Sequence, residues 1–178
     1  MKERKYKEDW INETRFEGSR EKRVPVYRGP LFVFEGGASG KSLALRGLIL
    51  WGLYLALLLA YFRLDFPGTR ALFVFLPAGL SLFPCFYWAL GLWGLFRAPE
   101  KMTRLQKENG PGRVLRSAVG CGACSLGAVI GDAVFLLTGG SAAAEWPGLL
   151  MLLAVGGVAF AAAAVFREAE RALVERGT

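Results

Sequence analysis

From Leu43 to Phe62 the chain reads LALRGLILWGLYLALLLAYF, twenty residues with a single charge, Arg46, near their start. Twenty helical residues rise about 30 Å, the thickness of the hydrocarbon layer of a bilayer. Backbone groups in that layer have no water to bond, so such a stretch must be helical. Arg46 lies close enough to one end for its stem to carry the charge back to the interface.

Three further stretches have the same character: residues 71–96, 117–137 and 146–166. The second is overlong. At 1.5 Å per residue it spans about 39 Å, so it must tilt, bend or protrude. Pro77 and Pro84 are its natural bend points, because each removes a backbone donor. Trp93 suits an interfacial aromatic belt. The composition agrees: 53% of the 178 residues are hydrophobic and the mean hydropathy is +0.34, against about 45–50% apolar residues in a soluble domain. The sequence therefore predicts an all-α integral membrane protein. Its fold is a four-helix transmembrane bundle over residues 43–166, running up-down-up-down, between a cytosolic region 1–42 and a cytosolic tail 167–178.

Lys and Arg fix the orientation. Eleven lie in the region through Arg46, two between the first two spans, six in the 97–116 connection, none between the last two spans and three in the tail. Both termini and the 97–116 connection are thus expected on the cytoplasmic side of the cell membrane. The net charge of +7 is spent beside the spans, where it meets anionic lipid headgroups rather than nucleic acid. Residues 1–30 carry no apolar core of the kind a cleavable leader needs, so the first span is expected to target the membrane itself.

The flanking segments carry weaker signals. Tyr6, Trp10 and Ile11 fall on one face if residues 1–23 are helical. Arg28-Gly29-Pro30 marks a turn within 24–35, flanked by β-branched and aromatic residues, as a short hairpin or extended segment would be. Residues 99–109 fit a surface helix with Met102 and Leu105 towards lipid, ended by Gly110-Pro111-Gly112. The tail from Arg167 continues with helix-forming residues.

Four constellations bear on chemistry. Glu35-Gly36-Gly37-Ala38-Ser39-Gly40-Lys41-Ser42 approaches a P-loop, but Glu35 stands where the first glycine is needed, and the helix that follows is a membrane span. Nucleotide binding is therefore not expected. The motif reads instead as a linker with an anchoring lysine, and Ser42 near the helix start. Cys121-Gly122-Ala123-Cys124 has dithiol spacing at the cytoplasmic end of the third span. A reducing compartment and the absence of any His (three Cys, no His in the chain) favour a packing role over thiol exchange. Gly120, Cys124, Gly127 and Gly131 form a small-residue stripe on the third helix. Gly156, Gly157 and the run from Ala161 answer it on the fourth. Such residues let helix backbones approach closely. Asp132 is the one acid within a span, and an ionisable group there is a functional candidate by default. Near the outer end, it is expected to reach water or to pair with Arg63 or Arg70.

These features carry no catalytic, cofactor or metal constellation. They favour a non-enzymatic accessory or interaction subunit of a larger membrane assembly, with a membrane protein or a second copy of the chain as partner. A thiol oxidoreductase using Cys121 and Cys124, or a small carrier or channel component using Asp132, are the alternatives.

Overall fold

The computed structural model describes residues 8–17, 20–34, 39–138 and 142–176. It is mostly helical, and four helical stretches are long and apolar enough to cross a membrane: Gly40–Arg63, Leu72–Phe96, Arg104–Leu137 and Glu145–Arg171. In chain order the elements are strands β1 (Trp10–Glu17), β2 (Arg20–Tyr27) and β3 (Leu31–Phe34), helix α1 (Gly40–Arg63) and a 3₁₀ turn (Pro67–Arg70). Helices α2 (Leu72–Leu80) and α3 (Leu82–Phe96) follow, then β4 (Met102–Thr103), α4 (Arg104–Asn109), α5 (Pro111–Leu137), α6 (Ala142–Arg171) and β5 (Leu173–Arg176).

The bundle closes as a ring. α1 packs against α3 and α6, and α5 packs against α6 on one side and against α2 and α3 on the other. Its centre is filled by Trp88, Tyr54, Leu58, Leu95 and Phe166, all essentially without exposed surface. The outer faces carry Ile49, Leu53, Leu72, Phe83, Phe86, Ile130 and Leu150 exposed. Water-soluble monomers rarely expose apolar side chains in such a band.

The extended segment expected within residues 24–35 is present, as the end of β2 and all of β3, and further strands join it. β1 and β2 pair antiparallel from Trp10↔Tyr27 to Glu17↔Arg20, so Trp10 and Ile11 sit in a ribbon rather than on a helix; Tyr6 lies outside the described residues. The hairpin therefore precedes Arg28-Gly29-Pro30, which instead turns the chain from β2 into β3. β3 is the centre of a second sheet, ordered β4-β3-β5. Phe32 pairs with Met102 on one side and Glu175 on the other, and Phe34 pairs with Leu173. The tail leaves its helix at Arg171 to make this strand. Met102, expected towards lipid, is 1% exposed and packs into the core with Phe32 and Leu173. The surface helix shrinks to α4, because Thr103 and Gln106 form a capping box that starts it there. Tyr27 ties the ribbon to this end: its hydroxyl donates to the Pro30 carbonyl (3.0 Å) and accepts from the Arg104 amide (3.2 Å).

The second span breaks at Ser81. Pro84 lacks the N–H that would bond Leu80, and its ring crowds that carbonyl, so the ladder parts just ahead of it. The Ser81 hydroxyl donates to the Ala78 carbonyl (2.6 Å) at the break. α1 is capped by Ser39, with Ser42 in its first turn as expected: the Ser39 hydroxyl accepts from the Lys41 amide, and the Ser42 hydroxyl donates to the Ser39 carbonyl. Residues 35–38 of the P-loop-like motif lie outside the described residues.

Candidate functional site

Two acids meet where α5 ends and α6 begins. Asp132 lies in the last turns of α5 and Glu145 in the first turn of α6, and both are 0% exposed. The turn Pro67–Arg70 seats between them. The Gly68 amide donates to Glu145 Oε1 (2.8 Å), and a Cβ on Gly68 would run into both Asp132 Oδ1 and Glu145 Oε1. Only glycine leaves room for the loop to come this close. Tyr61 of α1 closes the site: it has no exposed surface, and its ring lies 5.8 Å from that of Phe66. Gly148 on α6 lets Phe66 down onto the helix, since a Cβ there would meet the ring at 3.0 Å.

The expected cation pairing of Asp132 is not present. Arg70 instead donates from Nη2 to Asp65 Oδ2 (2.7 Å) on the exposed surface, and Arg63 is exposed. This contact holds the Asp65 carboxyl below its ordinary range and raises the Arg70 guanidinium. Asp65 also occupies the left-handed region (φ 48°), which its short side chain tolerates just after a helix end. Asp132 faces a second carboxyl instead of a base, and it is sealed from water rather than reaching it. Both Asp132 oxygens, Glu145 Oε2 and the Tyr61 hydroxyl lack a hydrogen-bond partner among the described groups. Two buried carboxyls without a cation repel unless a proton or another cation lies between them, so the pair is a ready acceptor for one.

Glu145 escaped the sequence reading because it directly precedes the span expected at Trp146. The helix in fact starts at Ala142. The usable signal was an acid in the first turn of a helix, where the dipole favours negative charge.

A second polar group lies deeper. Tyr54 has its ring 5.9 Å from Trp88 and its hydroxyl beside Ser81, Ser125 and Cys121. The Cys121 thiol contacts the Ser81 carbonyl (3.7 Å) and lies against the Cys85 thiol, while Trp51 Nε1 donates to the Cys85 carbonyl (3.1 Å). Cys121 and Cys85 are buried, Cys124 is half-buried on the flank of α5, and all three are free thiols. The partner brought to Cys121 is thus Cys85, from another helix.

The glycine stripe divides between neighbours. Gly120, Gly127 and Gly131 face the broken second span, not the fourth helix: added Cβ atoms would meet Pro84 at 3.2 Å, Pro77 at 3.4 Å and the Phe73 carbonyl oxygen at 2.6 Å. Phe73 is four residues before Pro77, so its carbonyl has no helical donor to accept from and turns to α5. α6 is met instead by Gly122, under the Phe160 ring, and by Ser125, opposite Gly156. Gly157 has open space around it and Ala161 is exposed, so neither packs inside the bundle; Ala159, Ala162 and Ala163 do.

No family model matches this chain, and no curated protein or solved structure is similar to it.

Proposed function

We propose that this chain is a multi-pass protein of the cell membrane, with both termini and the 97–116 connection in the cytoplasm, acting as a non-enzymatic interaction subunit of a larger membrane assembly. The orientation rests on the lysine and arginine counts. The interaction role rests chiefly on one observation, the β1–β2 ribbon. An isolated two-stranded hairpin is marginal in water, yet this one is eight residues long per strand. It is tied to the rest through the Tyr27 hydroxyl, while the Arg28 amide, donating to the Asp9 carbonyl at 2.8 Å, adds one more rung to its own ladder. It also leaves Trp10 and Ile11 about half exposed. A ribbon with open edges and exposed apolar side chains is suited to strand addition by a partner.

The test is affinity purification of the full chain from its native membrane. The reading expects a stoichiometric membrane partner that is lost in Ile11→Arg while the bundle's melting temperature is unchanged. A chain that purifies alone, in wild type and variant alike, overturns it.

The Asp132–Glu145 pair favours a second reading, a small carrier or channel component moving protons or cations. Flux in liposomes that disappears in both Asp132→Asn and Glu145→Gln would establish that reading over the first.

A further inference from the structure

A groove of about 380 Å³ opens sideways between α3 and α5, lined by Phe83, Pro84, Tyr87, Arg113, Arg116 and Ser117. The two helices are antiparallel, and their close contacts set the levels. Gly91 meets Val114 near the end that holds the β4-β3-β5 sheet, and Gly120 meets Pro84 deeper in. The groove is therefore graded. Arg113 and Arg116 stand at the sheet end, Tyr87 and Ser117 lie between, and Phe83 and Pro84 form the deep end. Phe83 is 70% and Tyr87 55% exposed, so the apolar floor is open on the face that would meet lipid.

Both guanidinium groups are pinned. Arg113 Nη2 donates to Asn109 Oδ1 (2.9 Å); Arg116 Nε donates to the Gly112 carbonyl (3.0 Å) and its Nη2 to the Glu108 carbonyl (3.2 Å). The acceptors come from the short α4–α5 junction, which holds the arginines in place; the Glu170 carboxyl also lies beside Gly112, near the Arg116 fork. Each fork keeps further N–H donors for an outside acceptor. A held guanidinium loses little entropy on binding a phosphate, which it matches in two-pronged fashion.

We infer that this groove is a binding site for one anionic phospholipid, its phosphate on Arg113 and Arg116 and one acyl chain along Tyr87, Pro84 and Phe83. The charge gradient along the groove complements that of a lipid: anionic at the interface, apolar towards the bilayer centre. This inference rests on the membrane reading above and goes beyond the general attraction of basic residues to a negative surface.

Detergent micelles remove that general surface attraction, so the test is made there. Purified full-length protein is titrated with phosphatidylglycerol, phosphatidylcholine or inorganic phosphate, and bound lipid is counted by native mass spectrometry. The expected result is one saturable phosphatidylglycerol, preferred over phosphatidylcholine and not displaced by equimolar phosphate. With about 1 kcal/mol for each surface cation, Arg113→Gln with Arg116→Gln weakens binding about thirty-fold. Arg46→Gln, an exposed arginine on α1, leaves it unchanged. Tyr87→Ser keeps both arginines and lowers retention as well, which covers the case of a double variant that does not fold. No preference between the two lipids, displacement by phosphate, or equal loss in Arg46→Gln would each overturn the site. A chain that partitions into water without detergent would overturn the membrane reading itself, so the two failures are distinguishable.

Discussion

The two ends of the bundle are held by different physics. At the sheet end, three segments far apart in sequence (Leu31–Phe34, Met102–Thr103 and Leu173–Arg176) pair through their backbones and bury Phe32, Met102 and Leu173 against the helices. At the other end a single turn, Pro67–Arg70, sits over two carboxyls and is fixed by one amide donor and one glycine. At the sheet end the backbone groups of the three strands pair with one another. The acid end leaves four buried polar atoms of Tyr61, Asp132 and Glu145 without partners among the described groups. Unsatisfied buried groups are where a fold stores a capacity to bind or to change, since a ligand or proton gains what the native contacts do not supply.

The largest test of this contrast is at the sheet end. Met102→Ala empties a site that is 1% exposed and should lower stability by about 2–5 kcal/mol in thermal or denaturant unfolding in detergent. A loss no greater than that of an exposed leucine would mean the sheet does not anchor the bundle.

Next come the close approaches. Gly131→Ala pushes a Cβ against the Phe73 carbonyl, which belongs to backbone and cannot swing away. Gly68→Ala does the same to the two carboxyls. Each is expected to cost about 1–3 kcal/mol. Gly157→Ala, with open space around it, should leave stability unchanged or raise it by up to about 1 kcal/mol through helix propensity. The set is read as three melting curves, and equal shifts would erase the distinction between packed and unpacked glycines.

Asp132→Asn sharpens the contrast at the acid end. Had Asp132 been paired with an arginine, losing the carboxylate would strand a charge and cost about 3–5 kcal/mol. Facing Glu145, the new amide instead donates to a carboxyl and removes a like charge. The expected stability change is within about 1 kcal/mol, in either direction. A steep loss would restore a cation partner.

The smallest effect belongs to Asp65 and Arg70. The Asp65 carboxyl is depressed by Arg70, so its stabilisation is present above the unfolded value of about 3.9 and is lost as pH falls through the lower folded value. Full exposure of the pair screens it. Asp65→Asn should therefore remove only a slight acid-range slope in melting temperature, and a large slope would show that this loop matters more than its burial suggests.

Much of the architecture is legible in the chain. Hydropathy and length give four helices long and apolar enough to span a membrane, and the positive charges group the three segments that the sheet later joins. Pro84 and Pro77 announce the bend, although it falls at Ser81. The N-terminal hairpin was displaced because Arg28-Gly29-Pro30 resembles a hairpin turn as much as a strand-to-strand connection. Asp132 stood out as the one acid in an apolar run, whereas Glu145 did not, because a helix start beside Trp146-Pro147 cannot be told from loop by composition.

The sequence by itself determined the number of helices long and apolar enough to span a membrane, the clustering of basic segments and the presence of one acid within an apolar run. Only the tertiary structure decided which faces meet: that Gly120, Gly127 and Gly131 receive the proline-broken span, that Cys121 turns to Cys85, and that Asp132 faces Glu145. The reason is physical. Lipid is as apolar as a leucine-lined interior, so hydropathy cannot separate a packed face from an exposed one. Helical periodicity aligns residues along one helix but leaves its rotation against each neighbour to shape and hydrogen bonding.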